Sequence, residues 1–193
     1  MPMTRERLSC GQALGEAAVL ALQRDKEGGA DVFFHRVAQS ARRAGLRLAG
    51  ALQRDEPRPG RRRCDMILTD LASGRRIRIS EDRGDLARGC RLDQGALTEA
   101  AELVERAIRS APPDLVILNK FGKAEAEEGG GMREAIAAAL EAGVPVLTAV
   151  APAYEPRLRD FAGKLCAVVA DEATVRRWLR ARFCELATHL QES

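Results

Sequence analysis

Asn119, Lys120, Lys123 and Glu125 crowd together in NKFGKAE, just ahead of the run EEGGG that contains Gly129 and Gly130. An ammonium and a carboxylate two residues apart are the types needed for a general acid–base pair, or for holding an anion beside a metal. Cys90 and Asp93, in GCRLD, would add a thiol and a second carboxylate to complete an enzyme site of that kind. The same residues also suit a solvated loop before a helix whose first turn is rich in acids, an arrangement the helix macrodipole favours.

A second joint, QRDKEGGADVFFHRVA, brings Gly28 and Gly29 to the start of a helical pattern. A phosphate-binding loop there would read GxxxxGK followed by Ser or Thr, with the Lys on the β- and γ-phosphates and the hydroxyl on magnesium. Both of those side chains are missing at the required place. Backbone N–H groups at the helix start would still cradle an anion. Asp31 opposes that reading and fits instead as the helix N-cap after a Gly-Gly turn.

Other chemistries fail on residue types. Asn119-Lys120 begins like the guanine-reading NKxD signal, but Gly122 stands where the carboxylate belongs. Cys64 and Cys90 are too scattered for a zinc signature and read as small thiols. His35 and His189 are the two histidines, and neither assembles a nucleophilic triad with confident partners.

These joints need strands to position them. Ala17–Leu22, Leu46–Leu52, Leu115–Leu118, Val144–Val150 and Leu165–Ala170 read as strands, and LVIL at 115–118 as one buried on both faces. Helical spacing runs through ADVFFHRVAQSARRAG with Gly45 as C-cap, through Gly95–Ser110 until Pro112 and Pro113, and through Met132–Ala142. RRCDMILTDLASGRRIRIS alternates about Ser73-Gly74 and reads as a β-hairpin inserted at about 62–80. Strands alternating with helices imply an α/β fold around a mainly parallel sheet. Residues 1–16 read as an N-terminal extension and 17–193 as a single α/β domain ending in a helix at about 172–190.

Composition narrows the functional classes. The chain has 193 residues, 46% of them hydrophobic, enough for one ordinary core. No apolar run reaches the ~18 residues of a membrane span, and the N-terminus lacks a signal-peptide core, so a cytoplasmic location is expected. Five cysteines without a CxxC pair fit free thiols in a reducing compartment. Arg58, Arg61, Arg62 and Arg63 form a basic cluster, but a net charge of +3 and seven aromatics (five Phe, one Tyr, one Trp) argue against nucleic-acid binding.

GLRLAGALQRD, RRRCDMILTDLASGRRIRIS, GCRLDQGAL, DLVILNKFGKAEAEEGGG and GVPVLTAV together resemble an uncharacterised bacterial domain family often encoded near molybdate-transport or nitrogen-fixation genes. That family in turn resembles the P-loop nucleoside-triphosphatases first described from thermophiles. The likeness spans about Ala17 to Gly163 and implies a P-loop NTPase-like sheet. Where those enzymes carry GKT this chain has GGADV, and where they carry an Asp-Glu pair it has Asn119-Lys120. Two major sources of transition-state stabilisation are thereby lost, which argues against conventional ATP or GTP hydrolysis. The expectation is a non-hydrolytic protein that binds a small anion, an oxyanion such as molybdate or a nucleotide. Gly28, Gly29, Asn119, Lys120, Lys123, Gly129 and Gly130 would do the binding. The alternatives are an enzyme using Lys123 and Glu125 with Cys90 or Asp93, and an interaction module, as a homodimer or with a partner protein. No metal ligand set is assigned.

Overall fold

The computed structural model describes residues 14, 16–24, 29–60, 64–81, 92–184 and 186. Gly28, Cys90 and the N-terminal extension up to residue 13 lie outside them. The described strands are β1 (Val19–Gln23), β2 (Leu48–Glu56), β3 (Asp65–Asp70), β4 (Arg76–Arg78), β5 (Leu115–Leu118), β6 (Val146–Val150) and β7 (Cys166–Val169). They form one sheet in the order β4-β3-β2-β5-β6-β1-β7. The pairs from β2 to β7 are parallel; β2–β3 and β3–β4 are antiparallel. The expected α/β class, with its inserted hairpin, is therefore the observed one.

The helices are α1 (Asp31–Arg43), α2 (Gln94–Ser110), α3 (Lys123–Ala126), α4 (Arg133–Glu141), α5 (Glu155–Ala162) and α6 (Glu172–Arg182). They cover both faces of the sheet, so the central strands are apolar on both sides. In β5, Leu115 and Ile117 face the layer of α1 and α6, while Val116 and Leu118 face that of α2, α4 and α5. The alternation is the two-residue period of a strand, with both faces dry. In α2, Leu97, Ala100, Ala101, Val104 and Ile108 recur every three or four residues and make its buried stripe. Trp178 of α6 is wholly buried, and its indole N–H donates to the Ala17 carbonyl at 3.1 Å, tying α6 to the residues that lead into β1.

Several boundaries differ from expectation for identifiable reasons. Strand β2 runs four residues past Leu52, because its second half pairs with β3 rather than with the parallel core. Helix α1 has Ala30 as its N-cap, with Asp31 already in the first turn and not capping. Helix α5 has no counterpart in the sequence reading. Half of its segment EPRLRDFA is charged, and among its residues only Leu158 and Ala162 are buried. Helix α6 ends at Arg182, where Phe183 turns extended; of the expected continuation to about 190, residues 185 and 187–190 lie outside the described residues.

Candidate functional site

A cleft of about 590 Å³ opens across the carboxyl ends of β1, β2, β5 and β6. In open α/β sheets this is where ligands bind. Its mouth is polar, with Arg24, Asp31, Gln53, Asn119, Lys120 and Lys123 on the rim; its depth is apolar.

Arg24 follows β1 and is tightly held. Its guanidinium donates to the carbonyls of Gln23 and Ala170 at 2.9 Å each and reaches Glu172 at 3.4 Å. Its charge serves to fasten β1 to the start of α6. Gln53, beyond the parallel part of β2, joins three neighbours. Its N–H donates to Asn119 Oδ1 at 3.2 Å, its carbonyl lies 3.1 Å from His35 Nε2, and its side-chain amide donates to Asp55 at 2.9 Å. Asn119 is therefore oriented by the adjacent strand.

Asp31 projects from the first turn of α1 into the cleft. Burial, followed by the Asp55 carboxylate, raises its pKa above the ordinary carboxylate value; Lys120, His35 and a hydrogen bond from the Asn119 side chain oppose the rise. A negative charge here is costly, and it faces the lysines an anion would use.

The loop after β5 is fixed from within. Phe121 is buried and stacks on Phe161 at 6.2 Å, and the Arg133 guanidinium lies 4.4 Å above the other ring of that pair, Phe161. The Glu125 carboxylate, only 4% exposed, accepts the Gly122 N–H at 2.8 Å and the Met132 N–H at 2.9 Å. This carboxylate clamps the loop between β5 and α4, a task different from the acid–base role expected of it. Lys123, also on the cleft lining, is 65% exposed with its ammonium 3.7 Å from Glu128.

The remaining expected residues divide. Gly29, Asn119, Lys120, Lys123 and Glu125 all line the cleft. Gly129 and Gly130 form an exposed turn and are not among its lining residues. Asp93 is the N-cap of α2, accepting the Ala96 N–H at 2.9 Å, so its carboxylate has a structural task. Among the described residues, no group of three or more His, Cys, Asp or Glu side chains could hold a metal ion. Sequence reasoning missed Gln53, Tyr154 and the apolar depth of the cleft; Gln53 directly follows the strand read as Leu46–Leu52, and that position was the signal.

Five parallel strands in the order β2-β5-β6-β1-β7, helices on both faces and a cleft at the strand ends define a P-loop NTPase-like α/β protein. The chain belongs to the family described as Protein of unknown function (DUF2478), which matches residues 19–178. That match runs past Gly163 and takes in α6 as far as its buried Trp178. A curated relative, Molybdenum import ATP-binding protein ModC 2 of Bradyrhizobium diazoefficiens, is 35% identical over 144 residues. The match covers 74% of this chain and 16% of that protein, so most of the relative has no counterpart here. No solved structure matches significantly. Among the described residues, no helix is long and apolar enough to cross a membrane.

Proposed function

We propose that the chain is a non-hydrolytic binding protein for a small anion or nucleotide, working beside molybdenum uptake. The cleft carries this reading: Asn119, Lys120 and Lys123 all line a site-sized cavity at the strand ends. Lysines supply charge and the asparagine amide a directed hydrogen bond, the combination an anion requires. Non-hydrolysis is supported by residue types. GGADV offers neither the Lys nor the hydroxyl of a phosphate loop, and Asn119-Lys120 puts no carboxylate where magnesium would be held. The name of the curated relative supports the link to molybdenum.

Thermal unfolding against ATP, GTP, ADP, molybdate, tungstate, sulfate and phosphate, with and without magnesium, tests the reading. A ligand at a hundredfold over its dissociation constant adds about 2.7 kcal/mol. For a chain of this length that is roughly 5–10 °C. The shift should disappear in Lys123→Ala, and no phosphate should be released from ATP or GTP. Absence of a shift with every member of the panel would sink the proposal.

A second reading rests on where the matched segment lies in the relative. A segment that makes up 16% of a molybdenum import protein would suit a module that docks on a transporter component. Co-purification with such a component, independent of any added anion, would favour it.

A further inference from the structure

The cleft is much larger than an inorganic oxyanion, and its depth is of the wrong chemistry for one. A tetrahedral oxyanion fills a few water volumes, on the order of 100 Å³; the cleft has about 590 Å³. Beyond the lysines its walls are Met66 and Leu68 of β3, Ile79 after β4, Leu97 of α2, Phe121 and Met132. Leu68, Ile79, Leu97, Phe121 and Met132 are all buried, so this chamber continues the core outward to the strand ends. Of the two acids lining the cleft, Asp31 stands with the polar residues of the mouth, and Glu125 has both its oxygens taken by backbone N–H groups. An oxyanion among Met66, Leu68, Ile79, Leu97, Phe121 and Met132 would exchange its hydration for apolar contacts. Protein interiors are close-packed, with few voids larger than a water, so a cleft of this size whose inner walls are apolar is a place for a ligand with an apolar part.

From this we infer that the ligand is an aromatic or heteroaromatic ring carrying an anionic tail. The ring lies in the chamber between the hairpin and α2, and the tail reaches Lys120 and Lys123 at the mouth. Two methionines, Met66 and Met132, border the chamber; their flexible thioethers adapt to a flat ring and make favourable sulfur–aromatic contacts. The hairpin and α2 thus supply the specificity for the ring, while the ends of the parallel strands supply the charge. The inference rests on the anion-binding reading and narrows its ligand to an organic anion.

Calorimetric titration of the whole chain separates the two. The probes are GMP, pyridoxal phosphate and riboflavin phosphate as ring-bearing anions, guanosine and riboflavin as rings alone, and molybdate and inorganic phosphate as anions alone. At least one ring-bearing anion should bind about tenfold or more tighter than either inorganic anion and tighter than its own uncharged ring. Leu97→Trp, which fills the chamber, should weaken that ligand about tenfold or more while leaving the inorganic anions unchanged, their retained binding showing that the variant is folded. Lys123→Ala should weaken every anion. Inorganic anions that bind as tightly as all ring-bearing ones would overturn the inference and leave the anion-binding reading standing. Rings that bind equally well without their phosphate, or no binding by any probe, would overturn both.

Discussion

Gly131 stands where a side chain would strike Glu125: a Cβ built there would lie 2.2 Å from Glu125 Oε1. Its φ of +59° is also one that L side chains rarely adopt. The Glu125 clamp thus requires a glycine at this point, which explains one member of the Gly-Gly-Gly run on structural grounds. Gly143, with φ +69° and open space around its Cβ position, shares only the backbone demand. Gly143→Ala should cost about 1–2 kcal/mol. Gly131→Ala should cost about 2–4 kcal/mol, because it also displaces a buried hydrogen-bonded carboxylate. Urea unfolding of the two variants checks the difference; equal losses would mean that Glu125 moves aside freely.

Removing the carboxylate itself isolates the clamp. Glu125→Ala leaves the N–H groups of Gly122 and Met132 without their acceptor and should destabilise the protein by about 2–4 kcal/mol. Glu125→Gln keeps one acceptor oxygen and should lose about half as much. If Glu125 were instead a catalytic base, both variants would retain near-normal stability. Chemical denaturation distinguishes the cases.

Asp31 links stability to pH. Its pKa is raised in the folded protein, so the folded state holds this proton more tightly than the unfolded chain does. The resulting stabilisation is fully present below the ordinary aspartate pKa and is lost as pH rises through the higher folded pKa. Asp31→Asn should therefore be more stable than the parent at neutral pH, with the advantage shrinking on acidification. Melting temperatures between pH 4 and 8 measure it. The same substitution removes a negative charge facing Lys120 and should tighten binding of any anion at the mouth, read by titration at pH 7.

Thiol chemistry provides an independent check on the packing of β7. Burial pushes the Cys166 thiol up to about 11, while Cys184 is exposed. At pH 8 native Cys166 should resist alkylation by iodoacetamide, and Cys184 should be labelled. Mass spectrometry of the digested protein reads the sites; rapid labelling of Cys166 would show that β7 leaves β1 readily.

Much of this architecture was legible in the sequence, wherever hydrophobic period and burial coincide. LVIL at 115–118 and the spaced apolar residues of α2 could be read directly, as could the Ser73-Gly74 turn, where Gly74 adopts φ +75°. Helix α5 could not, since a charged surface helix with two buried residues leaves almost no periodic signal. Within the site, the strand ends were readable and the side-chain tasks were not. Glu125 and Glu128 belong to the same acidic run, yet one turns inward to backbone N–H groups and the other outward to Lys123. Residue type carries no sign of that rotation. Asp93 likewise has the composition of a catalytic residue and the geometry of a cap.

Strand β2 serves two partners in succession. Leu48–Ala51 pair with β5 and Ala51–Glu56 pair with β3, so Ala51 is the one residue registered to both. The hairpin is consequently grafted onto the parallel core along a seam a single residue wide. Lengthening, shortening or exchanging it leaves the register of β5, β6, β1 and β7 untouched. On the inferred ring pocket, which the hairpin forms together with α2, relatives that share this core would differ in what they recognise through their hairpins, and a chimera carrying another member's hairpin would shift toward the donor's preference.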